Sequence, residues 1–381
     1  MSNKKFGTLL LVCGVLFVNR VCAYETAARN AILMDYNTGE YLFEKNIEEM
    51  VPPASMSKLM TVYILMSKIK NGSIKLTDTF SVSENAWRKG GAATGGSTMF
   101  LSIGDNVSVE NIIKGILIQS GNDACIVTAE NISGSEEDFA VLMNKTAEQL
   151  GLKNSSFANS TGLPDPNQKM SVEDLAILSR QIIKEFPDLY HYFSEKEFTY
   201  NNIKQGNRNP LLYSMNGADG LKTGHTEEAG YCLAASAVKD DRRLIEVMSG
   251  MSSNSERSEE SERLMSWGFR EFRTHKLFSK QQIIAKAKVW YGVKNSVDLT
   301  VADDVFKTVH ASQAENIKVT AEFDEPIKAP IEAGQQIGML KIEVPEQKIM
   351  EVPLVAANSV GKVGILGRFV ANVKYFVFGT K

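Results

Sequence analysis

Cysteine is scarce in this 381-residue sequence, which has four residues of that type. They are Cys13, Cys22, Cys125 and Cys232. So small a number excludes a disulfide-rich scaffold. Cys125 and Cys232 lie in apolar segments, which favours buried free thiols over a disulfide between them. The four histidines are scattered, with no HExxH or CxxC pattern nearby, so we expect no metal site.

An excess of positive charge is also lacking. The chain has 42 basic and 45 acidic residues, which gives a formal net charge of −3. A nucleic-acid-binding protein carries a strongly basic patch or domain, so we expect no nucleic-acid partner. The sequence shows neither internal repeats nor low-complexity tracts. Its length exceeds the roughly 250–300 residues at which a single hydrophobic core stops growing, so we expect more than one domain.

The apolar run near the start of the chain, residues 6–18, is too short to cross roughly 30 Å of hydrocarbon comfortably as a helix. It follows Lys4 and Lys5 and precedes Val21-Cys22-Ala23, whose small residues fit a signal-peptidase site. We predict a signal peptide over residues 1–23. An uncleaved N-terminal anchor is the alternative. Cleavage removes three basic residues and no acidic one, which takes the formal net charge from −3 to −6.

Strand-like and helical patterns alternate over residues 24–275, which we predict to form the first domain. Strand-like runs lie at residues 31–34, 41–43, 220–222, 231–238 and 243–248, and the first two read as a hairpin. Helical periodicity occurs at residues 55–67, 109–118, 123–131, 136–150, 172–183 and 259–269. Strands at both ends of a helical middle indicate an α+β fold, an antiparallel sheet covered by helices.

Residues 276–358 have a different pattern, in which alternating runs are separated by Pro, Gly and Asn. The runs lie at residues 284–290, 297–301, 317–323, 337–344 and 351–355. They predict a small all-β domain with no evident catalytic motif.

The C-terminal segment, residues 359–381, is predicted to form an amphipathic helix. One side of the helix carries Val363, Ile365, Leu366, Phe369, Val370, Val373, Phe376 and Val377. No acidic residue occurs between Val360 and Lys381, so the helix suits an anionic membrane surface. A helix docked on its own domain is the alternative. Three glycines, Gly361, Gly364 and Gly367, weaken the intrinsic helicity.

Ser55 and Lys58 are three residues apart at the start of a predicted helix, so their side chains share one face. A serine hydroxyl is a poor nucleophile until a base takes its proton. A lysine can be that base if its pKa falls from about 10.4 toward about 7–8 through burial and nearby cations. The free N–H groups of the helix start can hold an oxyanion. Alone, S-x-x-K is a weak signal, because most occurrences are ordinary helix surface.

Two further motifs supply polar groups of the required kind. Lys222-Thr223-Gly224 ends a strand-like run and offers a cation, a hydroxyl and a glycine that lets a substrate backbone lie close. A plain turn is the alternative. Ser120-Gly121-Asn122 interrupts two helical segments. It is either a helix break with an Asn cap or a pair of side chains aimed into a cleft.

The three motifs occur in the order S-x-x-K, S-x-N, K-T-G, which is typical of penicillin-binding proteins and class A β-lactamases. The sequence resembles the low-molecular-mass penicillin-binding proteins, specifically the D-alanyl-D-alanine carboxypeptidases. The longer matches are residues 53–61, 120–125 and 222–226, continued by Gly230-Tyr231 and Trp267-Gly268-Phe269. The resemblance covers essentially the whole chain after residue 23. It implies a penicilloyl-serine transpeptidase-like fold for the first domain.

The resemblance also implies catalytic roles. Ser55 would be the acylated nucleophile and Lys58 its general base. The backbone N–H groups of Ser55 and His225 would form the oxyanion hole, and Ser120 would relay a proton to the leaving D-alanine.

It further implies substrate-binding roles. Asn122 would hold the substrate amide, Lys222 would keep the site positive, and Thr223, beside Gly224, would bind the terminal carboxylate. Arg257 matches a family arginine that pairs with that carboxylate, for which a guanidinium is well shaped. The alternative for Arg257 is a solvated charge at a helix start.

The expected reaction is acyl transfer to Ser55 with release of D-alanine, followed by hydrolysis, and it needs no cofactor.

The middle motif is S-G-N rather than S-D-N. Glu136, Glu137 and Glu148 are interpreted as exposed helix charges rather than a base for the deacylating water, so Lys58 is expected to act twice. D,D-endopeptidase, β-lactamase and non-catalytic penicillin sensor are the alternatives.

The resemblance implies peptidoglycan stem peptides as substrates, β-lactams as covalent inhibitors and a role in cell-wall biosynthesis. The expected location is the periplasmic face of the cytoplasmic membrane, with peripheral anchoring through residues 360–381.

Overall fold

The structure is a computed structural model that describes residues 24–365, 367 and 369. The described chain divides into two compact units between Arg270 and Glu271. The predicted signal peptide, residues 1–23, and most of the predicted C-terminal helix lie outside the described residues. Among the residues described, no helix is both long and apolar enough to span a membrane.

The first unit is built on a five-stranded antiparallel sheet with the order β2-β1-β11-β10-β9. The strands of the unit are β1 (Asn30–Asp35), β2 (Tyr41–Lys45), β3 (Thr79–Ser81), β4 (Asn106–Ser108), β5 (Ser155–Ser156), β6 (Lys169–Met170), β7 (Glu197–Tyr200), β8 (Ile203–Gly206), β9 (Ala218–Thr226), β10 (Gly230–Lys239) and β11 (Arg242–Met251). Every residue of β1 is buried, since helices cover both faces of the sheet. The predicted hairpin of β1 and β2 is confirmed.

Eight α-helices are described for this unit. They are α1 (Lys58–Lys70), α2 (Glu84–Gly90), α3 (Val109–Leu117), α4 (Asn122–Ser133), α5 (Glu136–Leu150), α6 (Val172–Glu185), α7 (Leu211–Ser214) and α8 (Asn254–Glu271). Short 3₁₀ helices occupy Ala54–Ser57, Ala92–Thr94 and Tyr190–Ser194. Four helices begin after a serine whose hydroxyl accepts from the backbone N–H three residues on: Ser83, Ser108, Ser135 and Ser171. Such caps contribute about 1 kcal/mol each.

The two faces of the sheet are covered differently. Ile32, Ile245 and Val247 point into the large core that includes α1, α3, α4 and α6. The opposite face meets α8 at Gly268, where an added Cβ would lie 2.4 Å from Leu33. The α+β prediction, an antiparallel sheet covered by helices, is therefore confirmed.

Two predicted helix starts are wrong. Residues 54–57 form a 3₁₀ turn and α1 begins at Lys58, because Ala54 has a positive φ of 48° and the chain tightens before the helix. The last helix begins at Asn254 instead of residue 259. Its polar first turn shows no apolar periodicity, which is why the sequence concealed it.

The second unit is all β, as predicted. Its strands are β12 (Phe272–Phe278), β13 (Ala285–Trp290), β14 (Ser296–Thr300), β15 (Val305–His310), β16 (Lys318–Phe323), β17 (Ile327–Lys328), β18 (Gln336–Glu343) and β19 (Met350–Ala356). Six of them form a sheet with the order β16-β18-β19-β14-β13-β17, and β12 pairs with β15 separately. Strands β12 and β15 were missed, because they carry interspersed basic residues and pair across an intervening hairpin.

The end of the second unit is partly non-helical. Val360 exchanges two backbone hydrogen bonds with Ile331, both 2.9 Å, and the N–H of Val363 donates to Tyr291 O over 2.8 Å. The described helical residues begin only at Ile365. Residues 360–363 therefore belong to the edge of the β unit.

Candidate active site

The S-x-x-K pair lies at the junction of the 3₁₀ turn and α1. Ser55 is on the turn, and Lys58 is the first residue of the helix. The Lys58 ammonium nitrogen, Nζ, is 2.8 Å from Ser55 Oγ. Ser55 is partly exposed, whereas Lys58 is fully buried. The hydroxyl therefore faces a cleft while the nitrogen that can take its proton is shielded from water.

Burial changes the acid–base behaviour of Lys58. The pKa of Lys58 is lowered to about 8, first by burial and then by the Arg208 guanidinium, against the opposing effect of Asp123. Nζ also donates a hydrogen bond of 2.5 Å to the carbonyl oxygen of Thr161. A lysine in this state is a competent proton acceptor in mildly alkaline solution.

Ser120 joins α3 to α4 in a left-handed backbone conformation, with φ of 59°. Its hydroxyl accepts a 3.0 Å hydrogen bond from Lys222 Nζ, which also donates to Thr223 O over 3.1 Å. The pKa of Lys222 lies well below its ordinary value, because the side chain is buried and Lys58, Arg208 and Arg257 add positive charge nearby. A bound anion would offset the cost of holding this ammonium group.

The first turn of α4 organises a segment that the sequence analysis overlooked. Asn122 is 5 % exposed, and its N–H donates to Ser97 O over 2.8 Å. The buried Asp123 carboxylate accepts from the Thr98 hydroxyl and from the N–H groups of Met99 and Leu101. Asp123 thus fixes residues 97–101 along the wall of the cleft.

Strand β9 carries the K-T-G motif past the nucleophile turn. A Cβ added at Gly224 would lie 3.1 Å from both Ala54 Cβ and Pro53 O. A side chain at position 224 would therefore need the nucleophile turn to shift by a few tenths of an ångström, so the glycine fits the close approach of the strand to this turn. His225 follows at the cleft, with its ring centroid 4.0 Å from that of Tyr231.

These elements enclose a cleft of about 630 Å³. Its lining comprises Ser55, Ser97, Ser120, Asn207, Arg208, Pro210, Tyr213, Thr223, Gly224, His225, Tyr231, Asn254 and Arg257. Six of the nine predicted site residues are in this lining. The other three, Lys58, Asn122 and Lys222, are buried beside it.

Arg257 is 6 % exposed, so the alternative to its carboxylate-binding role, a solvated charge at a helix start, is wrong. Its guanidinium lies over the Tyr231 ring, 5.6 Å from the centroid, and donates to the Asn254 side chain. Burial lowers the pKa of Arg257. No carboxylate pairs with Arg257 among the described residues, which leaves it available to an anionic ligand.

Arg208 is a second guanidinium that the sequence did not reveal. It follows β8 and donates to Ser97 Oγ over 2.6 Å. Although the Arg208 side chain is exposed, partial removal of its guanidinium from water by the cleft wall lowers its pKa. In the described part of the chain it has no carboxylate partner either. The only signal was an arginine between two asparagines in a turn-rich stretch, which is too common to single out.

The glutamates near the site need one correction. Glu137 and Glu148 are exposed as predicted, but Glu136 is half-buried and accepts a 2.7 Å hydrogen bond from the Ser160 hydroxyl. No carboxylate lines the cleft within the residues that the structure describes. The interpretation of the three glutamates as exposed helix charges is therefore wrong for Glu136 and right for Glu137 and Glu148.

Both described cysteines are buried free thiols, as predicted. Burial raises the pKa of Cys125 to about 12, so its thiol is poorly reactive.

A family model described as D-alanyl-D-alanine carboxypeptidase matches residues 18–253. A second model, described as penicillin-binding protein 5, C-terminal domain, matches residues 272–362.

Individual relatives match most of the chain. It is 42 % identical over 344 residues to the D-alanyl-D-alanine carboxypeptidase DacC of Escherichia coli, covering 90 % of this chain and 86 % of that protein. A D-alanyl-D-alanine endopeptidase of Pseudomonas aeruginosa is 30 % identical over 219 residues, covering 55 % and 66 % respectively. The crystal structure of penicillin-binding protein 5 from Haemophilus influenzae matches with a TM-score of 0.84 at 39 % identity, over 90 % of this chain and all of that one.

Proposed function

This chain belongs to the D-alanyl-D-alanine carboxypeptidase family, and we propose that its cleft removes the terminal D-alanine from peptidoglycan stem peptides through an ester on Ser55. The chain is a serine-type carboxypeptidase with a penicilloyl-serine transpeptidase-like fold. The observation that carries the proposal is the 2.8 Å approach of Lys58 Nζ to Ser55 Oγ at a buried lysine whose pKa is lowered to about 8.

In the first half-reaction, Lys58 takes the hydroxyl proton as Ser55 Oγ attacks the carbonyl carbon of the penultimate D-alanine. The N–H groups of Ser55 and His225 stabilise the oxyanion of the tetrahedral intermediate. Ser120 then delivers a proton to the departing amine, and D-alanine leaves as the ester forms. The Lys222–Ser120 hydrogen bond of 3.0 Å supports this route, because Lys222 can replace the proton that Ser120 gives up.

Before the second half-reaction, Lys58 releases the proton it took from Ser55 to solvent, while Lys222 regains one from solvent. Lys58, neutral again, takes a proton from water as the water oxygen attacks the ester carbon. Lys58 then returns that proton to Ser55 Oγ as the acyl group leaves. The absence of a carboxylate from the described lining of the cleft supports a second use of Lys58 over a glutamate base.

Recognition of the substrate rests on charge. The terminal carboxylate is bound by Arg257 and the Thr223 hydroxyl, while Lys222 keeps the site positive and Asn122 holds the peptide amide. The buried Arg257 guanidinium, without a carboxylate partner among the described residues, supports this assignment, because a buried charge is costly until it is paired. An endopeptidase is less well supported, since the relative with that name matches only 55 % of the chain.

A β-lactam should become covalently attached to Ser55. Brief exposure to benzylpenicillin followed by peptide mass spectrometry should find one penicilloyl group, on Ser55. Ser55→Ala should abolish the adduct, whereas Ser57→Ala, two residues along the same turn, should retain it. An adduct elsewhere, or none on folded protein, contradicts the assignment. Release of D-alanine from a D-Ala-D-Ala peptide separates the enzyme from a non-catalytic sensor.

The C-terminal segment is proposed to hold the protein on the periplasmic face of an anionic membrane after removal of residues 1–23. Among its described residues, Ile365 and Phe369 are 79 % and 69 % exposed, four positions apart. Since residues 360–363 pair with the β unit, a truncation should begin at Gly364. We expect the truncated protein to leave the membrane fraction and to keep its penicillin-binding activity. A truncated protein that still pellets with membranes would place the anchor elsewhere.

A further inference from the structure

The turn between β13 and β14, residues 290–295, presents an apolar and aromatic group at one end of the β unit. We call it the tip turn. Trp290 and Tyr291 stack at 4.8 Å between ring centroids. Val293 is 65 % exposed. Trp, Tyr and aliphatic side chains at an exposed turn are the kind that enters the interfacial layer of a bilayer.

Three exposed lysines surround the tip turn. Lys294 is part of it, Lys328 of β17 pairs in register with Trp290, and Lys362 forms a bridge with Gly292. None of the three is paired with a carboxylate among the described residues. Residues 286–297 contain no acidic side chain. The surface therefore combines the exposed Val293 and the half-buried Trp290–Tyr291 pair with three exposed lysines. A nearby carboxylate, that of Glu325, accepts from the backbone N–H of Lys288 and pairs with none of the three.

The tip turn is continuous with the proposed membrane segment. The N–H of Val293 donates to Gly361 O over 2.9 Å, and the N–H of Val363 donates to Tyr291 O over 2.8 Å. A Cβ on Gly292 would lie 2.9 Å from Val360. The tip turn is therefore held against residues 360–363, from which the proposed membrane segment continues.

We propose that the tip turn is a second contact with an anionic lipid surface, formed by Val293 and the Trp290–Tyr291 pair with Lys294, Lys328 and Lys362. The proposal rests on the membrane attachment proposed above and extends it to the folded β unit. Lysines near an anionic surface contribute about 1 kcal/mol each, which corresponds to roughly fivefold in affinity. A second contact, on the folded β unit itself, would also restrict the orientation of that unit on the bilayer.

The test compares two double variants of the full chain with identical changes in charge. The tip variant is Val293→Glu with Lys294→Glu. The control is Ile349→Glu with Lys348→Glu, on another turn, where Ile349 is 55 % exposed. The control residues lie just before Met350, the first residue of β19, whereas the last residue of β19, Ala356, pairs with Leu299 of β14. The length of β19, about 20 Å, therefore separates the control turn from the strand that follows the tip turn.

Binding is measured by co-sedimentation with vesicles of phosphatidylethanolamine and phosphatidylglycerol. The tip variant should bind at least about fivefold more weakly than the unaltered chain, and the control should bind nearly as well. Equal binding by all three proteins, or equal weakening in both variants, overturns the second contact and leaves the C-terminal anchor standing. Failure of the unaltered chain to bind overturns both proposals.

A second measurement reports direct contact. Lipids brominated in their acyl chains quench tryptophan only where it reaches the bilayer. Vesicles should quench part of the emission of the unaltered chain, and Trp290→Phe should remove that quenching while penicillin binding is retained. Quenching that persists in Trp290→Phe contradicts the proposed depth of the tip turn.

Discussion

The Ser160 hydroxyl donates a 2.7 Å hydrogen bond to the Glu136 carboxylate, and this pair steadies the loop that supports Lys58. Ser160 O accepts from the Thr61 hydroxyl over 2.7 Å, and the next carbonyl, of Thr161, accepts from Lys58 Nζ. The first turn of α5 and the first turns of α1 are thereby connected through one short segment. Glu136 is a positioning residue in this arrangement, since it touches neither the cleft nor Ser55.

Glu136→Ala should slow acylation of Ser55 by roughly fivefold, the effect of one lost hydrogen bond of about 1 kcal/mol. Water admitted beside the loosened loop should also raise the pKa of Lys58 and move the pH midpoint of acylation upward. Glu136→Gln keeps an accepting oxygen and should resemble the unaltered chain. Glu137→Ala, the exposed neighbour, is the control. A purely structural role would lower stability without moving the pH midpoint.

The rate of penicillin acylation should rise with pH until about pH 8 and then level, because the pKa of Lys58 is lowered to about 8 and only the neutral amine accepts a proton. Lys58→Arg should reduce the rate by about 10²–10⁴-fold at every pH, since a guanidinium does not give up its proton. Lys70→Arg, at the exposed end of the same helix, should change nothing. A rate that is flat between pH 6 and 9 would argue against Lys58 as the base.

Arg257→Ala should impair turnover of peptides with a free terminal carboxylate more than that of amidated analogues. The expected difference is about 1.5–3 kcal/mol, or roughly 10- to 100-fold in kcat/KM. Arg263→Ala, which removes an arginine that extends to Glu260 on the same helix, serves as the control. Equal losses on both substrates would leave Arg257 with a structural role alone.

Gly162→Ala should damage both stability and acylation. Gly162 has φ of +77°, and a Cβ there would lie 2.0 Å from the carbonyl oxygen of Ala54, beside the nucleophile. Gly134 has φ of +86° with nothing within 4 Å of an added Cβ. Gly134→Ala therefore isolates the backbone strain, about 1–2 kcal/mol, and should leave acylation intact. Thermal unfolding and acylation rates of the two variants give the comparison, and similar behaviour would rule out the steric argument.

Glu246→Gln should stabilise the protein at neutral and alkaline pH. Glu246 is fully buried on β11, and burial raises its pKa well above 4.5, with a smaller opposing effect from Ser261. The folded state then holds a proton that the unfolded chain releases above 4.5, so this group lowers stability as pH rises toward its folded pKa. The benefit of glutamine should shrink toward pH 4.5 and below. Glu262→Gln, exposed on α8, is the control in urea unfolding at several pH values.

Local patterns in the sequence were sufficient to predict most elements of the fold. Short, mostly apolar runs bounded by turn residues predicted β1, β10 and β11, because a strand covered on both faces is apolar nearly throughout. A 3.6-residue periodicity predicted α3 and α5, because a helix that buries one face must repeat its apolar residues. The spacing of Ser55 and Lys58 predicted that their side chains meet, since three residues span nearly one helical turn. The strands β12 and β15 were missed because their pairing is non-local and their alternation is interrupted by charge.

The tertiary structure alone decided how the site is completed. Arg208, the Thr161 carbonyl and the Glu136–Ser160 pair come from segments without a motif, and only the folding of the loops around α1 brings them near Lys58. The lowered pKa of Lys58 likewise depends on burial and on neighbouring charges supplied by distant parts of the chain. The sequence by itself determined which groups do the chemistry, because reactive side chains must be of given types at given spacings. The fold decided their protonation, their exposure and their partners, because these depend on distances between residues that the order of the chain does not specify.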